Sequence, residues 1–378
     1  FINAAWHHLN WYGYVDGTVK VQNNLGDYAI GFSNYPIETY NRYLGVGIRG
    51  DFMLGEVKND YVLSLDRISQ ANYGGQKAGF SASVSGNIYR GISTESYTGV
   101  PDYVAPHSSD TLLRGWHVID TLTSPNKKLI VTIGLHGHSA TVDSYNKTTG
   151  KVASSTNSDA TSPTFGVTYK FTPKLMIYAN HAESFSMGTL VGSTYLNAGE
   201  ILGPSKTKQN EIGMKWENKK VLHSLSFFDI KQANIADETV SGETKLRRTI
   251  NGEQKNKGIE YMVSGTLSPK WEVVAGLMYL NAKQEKTTEG RFNGKDVNGA
   301  SPWSGTVAAI YKPEPDVSLL ARVNYMSSAT TFTSSASSYH ELDVPAHVTL
   351  DLGATWKTNW AKTPVTLSLM CYNVTDKD

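Results

Sequence analysis

One recurring unit constrains this chain more than any other feature: a long polar loop, a strand, a tight turn and a returning strand. Residues 204–217 (PSKTKQNEIGMKWE) show it best, because a polar run leads into a segment whose side chains alternate in character. A short turn (ENKK) follows, and residues 221–230 run back. Long polar loops alternate with tight turns, which are expected near Gly55, Ser124, Thr172, Asn218, Ser268, Pro313 and Asn359. This alternation predicts one antiparallel sheet that carries all its tight turns at one end.

The predicted strands have one apolar face and one small or polar face. In residues 348–356, Val348 and Leu350 share one face, whereas Thr349 and Asp351 share the other. The mean hydropathy is −0.34, and no apolar run approaches the roughly 18–20 residues of a membrane helix. Neither the low mean hydropathy nor the lack of a long apolar run excludes a membrane barrel, since every second residue of its strands faces polar surroundings. The pattern therefore predicts an all-β fold, a transmembrane antiparallel β-barrel wall of about fifteen strands.

The positions of the tight turns also decide which segments lie outside the wall. Between residues 57 and 122 only one outgoing and one returning strand fit, so residues 77–89 are predicted to be an excursion inside a large loop. Residues 18–30 are predicted to be loop for the same reason. The tracts 146–162, 185–203 and 327–343 are rich in polar and turn-forming residues, and they are also predicted to be loops.

Aromatic side chains cluster near the predicted strand ends, where a membrane barrel has interfacial girdles. Ordinary β-propensity and core packing are the alternative explanation. The residues are Trp116, Tyr178, Trp216, Trp271, Tyr279, Trp303, Tyr311, Tyr325, Trp356 and Tyr372.

The sequence offers little support for catalysis or metal binding. The net charge of +1 gives no field for nucleic-acid binding, and the single cysteine, Cys371, excludes an internal disulfide and a multi-cysteine metal site. His136 and His138 share a strand face and could bind a metal, but no third ligand is evident at a suitable spacing. Glu211 and Glu260 are expected to line the interior or to pair with Lys or Arg. No nucleophile elbow or phosphate-binding loop is present, so we expect neither an enzyme nor a metal site.

Several segments resemble one family, in the order in which that family has them. PSKTKQNEIGMKWE followed by VLHSLSFFDIKQANI resembles the P-E-x-S-x-x-x-E-x-G-x-K strand and its partner in TonB-dependent siderophore receptors, although Ser205 replaces the usual Glu. SPTFGVTYKFTPKLMIYANHAESFSMG, NKGIEYMVSGTLSPKWEVVAGLMYLNA, VPAHVTLDLGATW and VTLSLMCYNVTDKD resemble further hairpins of that family. Each motif alone is weak, but five in order over most of residues 40–378 form a specific pattern.

The resemblance implies a barrel of the 22-stranded plugged type in the outer membrane of a Gram-negative bacterium. Residues 1–378 would be one partial barrel domain, without the plug domain, the early strands and the final strand. The implied function is TonB-dependent uptake of ferric siderophores. The implied partners are the ferric siderophore, a TonB-type energy-coupling protein and outer-membrane lipid or lipopolysaccharide. No intrinsic cofactor is implied, because the ferric siderophore is the transported ligand.

Ligand recognition is expected to fall to aromatic residues of the long loops, because an aromatic ring with a polar tip suits a chelate with an apolar periphery. Packing within the loops themselves is the alternative role. A receptor for cobalamin or an oligosaccharide, a non-energised porin and an outer-membrane barrel enzyme remain as other functions, although no catalytic cluster is evident. The candidate ligand contacts are Tyr97, Tyr103, His107, Phe185, Tyr195, Phe332, Tyr339 and His340.

Overall fold

The computed structural model describes residues 1–11, 14–16, 20–34, 37–74, 81–90, 105–186, 188–192, 194–198, 200–203, 205–334 and 339–376. Within these ranges no helix has the length and apolarity needed to cross a membrane.

A 3-10 turn lies at Thr288–Gly290. The strands, in chain order, are β1 Ile2–Trp11, β2 Tyr14–Asp16, β3 Lys20–Val21, β4 Asp27–Asn34, β5 Ile37–Leu54, β6 Val57–Gly74, β7 Ser81–Asn87, β8 His107–Thr123, β9 Leu129–Tyr145, β10 Val152–Thr172, β11 Leu175–Ser186, β12 Thr189–Leu190, β13 Ile201–Leu202, β14 Ser205–Asn218, β15 Val221–Glu238, β16 Arg247–Ser268, β17 Trp271–Lys286, β18 Trp303–Tyr311, β19 Val317–Met326, β20 Ala329–Ser334, β21 Tyr339–Val344, β22 His347–Trp360 and β23 Thr363–Cys371.

Fifteen of these strands form one sheet, which we call the wall. Its order is β1-β5-β6-β8-β9-β10-β11-β14-β15-β16-β17-β18-β19-β22-β23, so every wall strand lies beside the wall strands that precede and follow it in the chain. The predicted number of wall strands and the all-β class are thereby confirmed.

The chain divides into two compact units, which are described separately. Unit 1 comprises residues 1–49, 62–118 and 136–161, and unit 2 comprises residues 50–61, 119–135 and 162–378.

The seven predicted tight turns are all present, and all lie in unit 2. Two-residue connections join β5 to β6, β10 to β11, β14 to β15, β16 to β17 and β22 to β23, and five-residue connections join β8 to β9 and β18 to β19. Two-residue hairpins often need a positive φ in the turn, and the structure shows φ 61° at Gly55 and φ 57° at Lys219. Local turn chemistry therefore accounts for the reversals at Gly55 and Lys219.

In unit 2 the register aligns apolar side chains into rows across the sheet. Ile212 of β14 lies opposite Phe227 of β15, which lies opposite Ile259 of β16, which lies opposite Tyr279 of β17. All four side chains are exposed. Neighbouring residues of the same strands, such as Glu211, belong to the other face. We call these the apolar face and the polar face of the wall.

Aromatic pairs on the apolar face of unit 2 support a membrane girdle. The rings of Trp271 and Tyr311 contact each other at a centroid distance of 4.8 Å near the tight turns, and those of Tyr279 and Trp303 are 4.8 Å apart farther along the same two strands. Eight residues separate the two levels on β17, which is about 26 Å along the strand and about 20 Å in height at a tilt of about 40°. That height is close to the ~25 Å apolar band of outer-membrane barrels.

The predicted loop at residues 146–162 is wrong, because β10 already begins at Val152. Thr156, Ser158 and Ser162 are buried, and the residues between them are mostly exposed. The segment thus alternates with period two, as a strand must. Its small polar side chains gave it the composition of a loop, since a strand that continues beyond the apolar band has no need of apolar residues.

Two further segments lie outside the wall as predicted but are strands rather than loop. β3 and the first half of β4 fall in the predicted loop 18–30, and β7 falls in 77–89, whose first residues up to 80 lie outside the described ranges. β2, β3 and β7 each pair with β4 in a separate sheet. The predicted loops 185–203 and 327–343 likewise contain the small hairpins β12-β13 and β20-β21. The positions of the tight turns exclude a segment from the wall, but they cannot detect pairing outside it.

Replacement of Val323 by Arg is expected to lower the free energy of unfolding by about 2–4 kcal/mol, the cost of a cation near the midplane of the lipid-facing side. Val323 is exposed on the apolar face and lies opposite Val307 and Leu350. Denaturant titration of the purified protein in lipid vesicles measures the change.

The matched control is Leu320→Arg, on the same strand but on the polar face, for which we expect a loss below about 1 kcal/mol. Equal losses for the two variants would contradict the assignment of the faces.

Candidate functional site

A tyrosine on the polar face of unit 2 explains the E-x-G pattern of the sequence. Tyr178 of β11 lies directly opposite Gly213 of β14, and its hydroxyl donates a 2.5 Å hydrogen bond to Oε1 of Glu211. A Cβ at position 213 would lie 2.5 Å from Cζ of the Tyr178 ring. Gln209 donates a 3.2 Å hydrogen bond to the other oxygen of Glu211. Glycine thus leaves room for the ring, and Glu211 fixes it along the polar face.

A second network on this face is centred on Asp351, which is 3% exposed. Arg322 donates from Nε to Oδ2 of Asp351 at 2.8 Å, and Asn324 donates to the same oxygen at 3.1 Å. The backbone N–H of Asn373 donates to Oδ1 at 2.8 Å, and Thr306 donates to Oδ1 of Asn324 at 2.9 Å. A buried carboxylate is stable only with such partners, so this face is polar but internally satisfied.

Three histidines and an aspartate of unit 1 lie close together. His117 of β8 contacts a carboxylate oxygen of Asp66 through Nε2, and its Nδ1 lies 2.9 Å from Nδ1 of His136. The ring of His138 lies 5.6 Å from that of His117. In the described part of the chain, no group of three or more His, Cys, Asp or Glu residues is arranged to hold a metal ion. Hydrogen bonds join the rings of His117 and His136 and the Asp66 carboxylate, and His117 is the member that the spacing of His136 and His138 did not reveal.

An arginine clamp fastens one long loop of unit 2 to the wall. Arg248 donates from Nε to Oδ1 of Asp237 at 2.9 Å, and its guanidinium lies 4.0 Å from the centre of the Tyr195 ring and also bonds the Tyr195 hydroxyl. Asn197 joins the backbone of Arg248 through hydrogen bonds of 2.9 and 3.0 Å. Burial and the neighbouring Asp237 raise the pKa of Tyr195, so its hydroxyl remains a donor. The residues that contact Tyr195 lie far from it in the sequence, so no sequence pattern identified them.

His107 belongs to a row of stacked rings at the loop end of unit 1. Its ring lies 4.6 Å from that of Tyr73 and 3.9 Å from that of Tyr145. Asp110 accepts a 2.9 Å hydrogen bond from the Tyr145 hydroxyl and lies 2.8 Å from Nε2 of His107. These residues, except Tyr145, border a cavity of about 1030 Å³ that is also lined by Arg42.

The other predicted ligand contacts lie in different surroundings. Phe185 is near the end of β11, opposite Lys206 of β14. The hairpin β20-β21 holds three of them, with Phe332 opposite Glu341, Thr333 opposite His340 and Ser334 opposite Tyr339. Tyr97 and Tyr103 lie outside the described residues. All eight therefore remain predictions as ligand contacts.

Comparison with known proteins places this architecture among receptors. The family model described as "TonB dependent receptor-like, beta-barrel" matches residues 2–374. The chain is 26% identical over 373 residues to the ferrichrome receptor FcuA of Yersinia enterocolitica, covering 96% of this chain and 48% of that protein.

Solved structures share the fold. The ferric preacinetobactin receptor BauA of Acinetobacter baumannii aligns with a TM-score of 0.82 at 24% identity, over 100% of this chain and 55% of that one. The ferripyoverdine receptor of Pseudomonas aeruginosa aligns with a TM-score of 0.76 at 17% identity, over 100% of this chain and 50% of that one. The chain thus spans about half the length of each of these three relatives.

Replacement of Gly213 by Val is expected to cost about 1–3 kcal/mol of stability, because the new side chain must displace the Tyr178 ring and break its hydrogen bond to Glu211. The measurement is denaturant titration of the purified protein in lipid vesicles.

Gly276→Val, on β17 of the same wall, is the control, since the nearest atoms to a Cβ there are 4.0 Å away. If Gly276→Val lost as much stability as Gly213→Val, replacement of any wall glycine would be destabilising. The Tyr178 ring would then not be the cause of the loss at Gly213.

Replacement of Arg248 by Met is expected to free the loop around Tyr195 and to raise its rate of chymotrypsin cleavage roughly tenfold, because charged hydrogen bonds to Asp237 are lost. Arg247→Met is the matched control: its guanidinium lies 3.6 Å from Glu200 of the same loop, but both side chains are about half exposed, so we expect cleavage to change less than about twofold. Mass spectrometry of the fragments locates the cut. Unchanged cleavage in Arg248→Met would contradict the clamp.

Proposed function

The chain belongs to the TonB-dependent receptor β-barrel family. We therefore propose that it forms part of the barrel wall of a receptor that takes up ferric siderophores. Uptake would cross the outer membrane of a Gram-negative bacterium and draw energy from a TonB-type partner. The observation that carries the proposal is the family match over residues 2–374, which spans the fifteen wall strands. Relatives named for ferrichrome, preacinetobactin and pyoverdine support a ferric chelate as the ligand class.

The two faces of the wall support this role. Side chains of the apolar face suit lipid, whereas Tyr178, Glu211 and Asp351 give the other face the polar character of a barrel interior. Members of the family are receptors and transporters, and we propose no catalytic step and no intrinsic cofactor for this chain. The ferric siderophore is cargo.

Aromatic residues of the loops remain the proposed ligand contacts. Tyr195 and His107 are each held by several side chains, so they could present a ring at low entropic cost. The remaining proposed contacts are Tyr97, Tyr103, Phe185, Phe332, Tyr339 and His340.

Uptake of iron supplied as single ferric siderophores tests the function. A strain without the gene is grown under iron limitation with one chelate at a time, of the hydroxamate, catecholate or mixed type, and labelled iron is counted in the cells. We expect uptake to be lost for at least one chelate and to return with the gene. The same uptake should disappear in a strain without the energy-coupling protein.

Three outcomes would overturn the proposal. Unchanged uptake of every ferric chelate would remove the iron function. Loss of cobalamin or oligosaccharide uptake alone would assign a different ligand. Uptake that persists without the coupling protein would indicate a passive pore.

A further inference from the structure

Four lysines lie directly opposite one another on successive strands of unit 2. The register pairs Lys208 of β14 with Lys231 of β15, Lys231 with Lys255 of β16, and Lys255 with Lys283 of β17. We call them the lysine row. Side chains that face each other in this way have Cβ atoms about 4.5–5.5 Å apart, and like charges in that position are destabilising. Such a row points to an anionic counterpart.

Carboxylates of the chain neutralise the lysine row only in part. Lys231, at an inner position of the row, is exposed and makes no ion pair with any residue in the described ranges. Between the row and the apolar residues below it, Lys257 pairs with Asp229 at 3.5 Å. The other three lysines have these partners: Lys208 with Glu183 at 3.1 Å, Lys255 with Glu285 at 3.7 Å and Lys283 with Asp296 at 2.7 Å.

The depth of the lysine row matches the headgroups of a lipid layer. Each lysine lies four residues beyond a member of the exposed row Ile212, Phe227, Ile259 and Tyr279, and therefore on the same apolar face. Four residues span about 13 Å along a strand, or about 10 Å in height at a tilt of about 40°. The displacement is away from the tight turns, and in outer-membrane barrels the long-loop end faces outward. The row thus lies at the level of the outer leaflet.

We propose that the lysine row binds the phosphate groups of a phosphorylated glycolipid of the outer leaflet, that is, lipopolysaccharide. The four ammonium groups supply the charge that phosphates require, as compact point charges on flexible stems. The apolar row beside them continues as the surface for acyl chains. The flanking carboxylates can share divalent cations with further phosphates, since hard cations prefer oxygen ligands. This inference goes beyond the proposed uptake and does not depend on which chelate is carried.

Binding of purified lipopolysaccharide to the full protein in nanodiscs of neutral lipid tests the proposal. The variant Lys231→Gln with Lys255→Gln should bind roughly tenfold or more weakly than the parent, because two charges near the surface are lost. The control, Lys219→Gln with Lys220→Gln, removes two charges from the tight turn of the same hairpin and should bind as the parent does. Lys231→Arg with Lys255→Arg should retain binding.

Further ligands identify what the surface recognises without any variant. Enzymatically dephosphorylated lipopolysaccharide should bind the parent protein much more weakly than the intact form. Equal binding of the two forms would overturn the proposal, as would unchanged binding by the Gln variant. Equal affinity for phosphatidylglycerol vesicles would assign a general anionic-lipid surface instead, and full competition by millimolar inorganic phosphate would assign a simple anion site. Siderophore uptake is measured separately, so failure of one proposal leaves the other standing.

Discussion

The need to pair every backbone N–H and C=O group inside lipid governs this structure. A sheet that crosses a bilayer cannot leave polar backbone groups to the hydrocarbon, so its strands must find partners over their whole membrane depth. Placing each wall strand beside its neighbours in sequence gives every inner strand of the wall a partner on both sides. The tight turns follow from that order, and the side chains are then free to give the two faces opposite characters.

The polar and apolar faces divide the chemistry of the wall. Around Tyr178 and Asp351 the polar side chains are satisfied by one another, so these parts of the polar face present a fixed pattern of groups. The apolar face carries its charges beyond the aromatic level, where Lys231 and its neighbours lie. The loop segment of Tyr195 is fastened by an arginine ion pair and a ring contact, in addition to the buried side chains of Val191 and Leu202.

Features that are local in sequence could be predicted, and those that depend on register could not. Gly55 and Asn218 mark turns through local chemistry, and alternation around Leu350 marks a strand, so the wall and its strand number followed. β10 was cut short because Thr156 and Ser158 have the composition of a loop while alternating as a strand. The contacts of His117 with Asp66, and of Arg248 with Tyr195, join residues 51 and 53 positions apart. No pattern in a single sequence identifies contacts between residues so far apart.

The sequential order of the wall also bears on how the chain assembles. Each tight turn joins two strands that pair along much of their length, as β14 and β15 do from Asn218 and Val221 outward. Pairing can therefore begin at the turn and proceed along the hairpin, which closes only a short length of chain and costs little entropy. A hairpin is the smallest piece that gains from such pairing, and its formation takes microseconds rather than seconds. The same seven turns that orient the wall thus give it seven places from which to start folding.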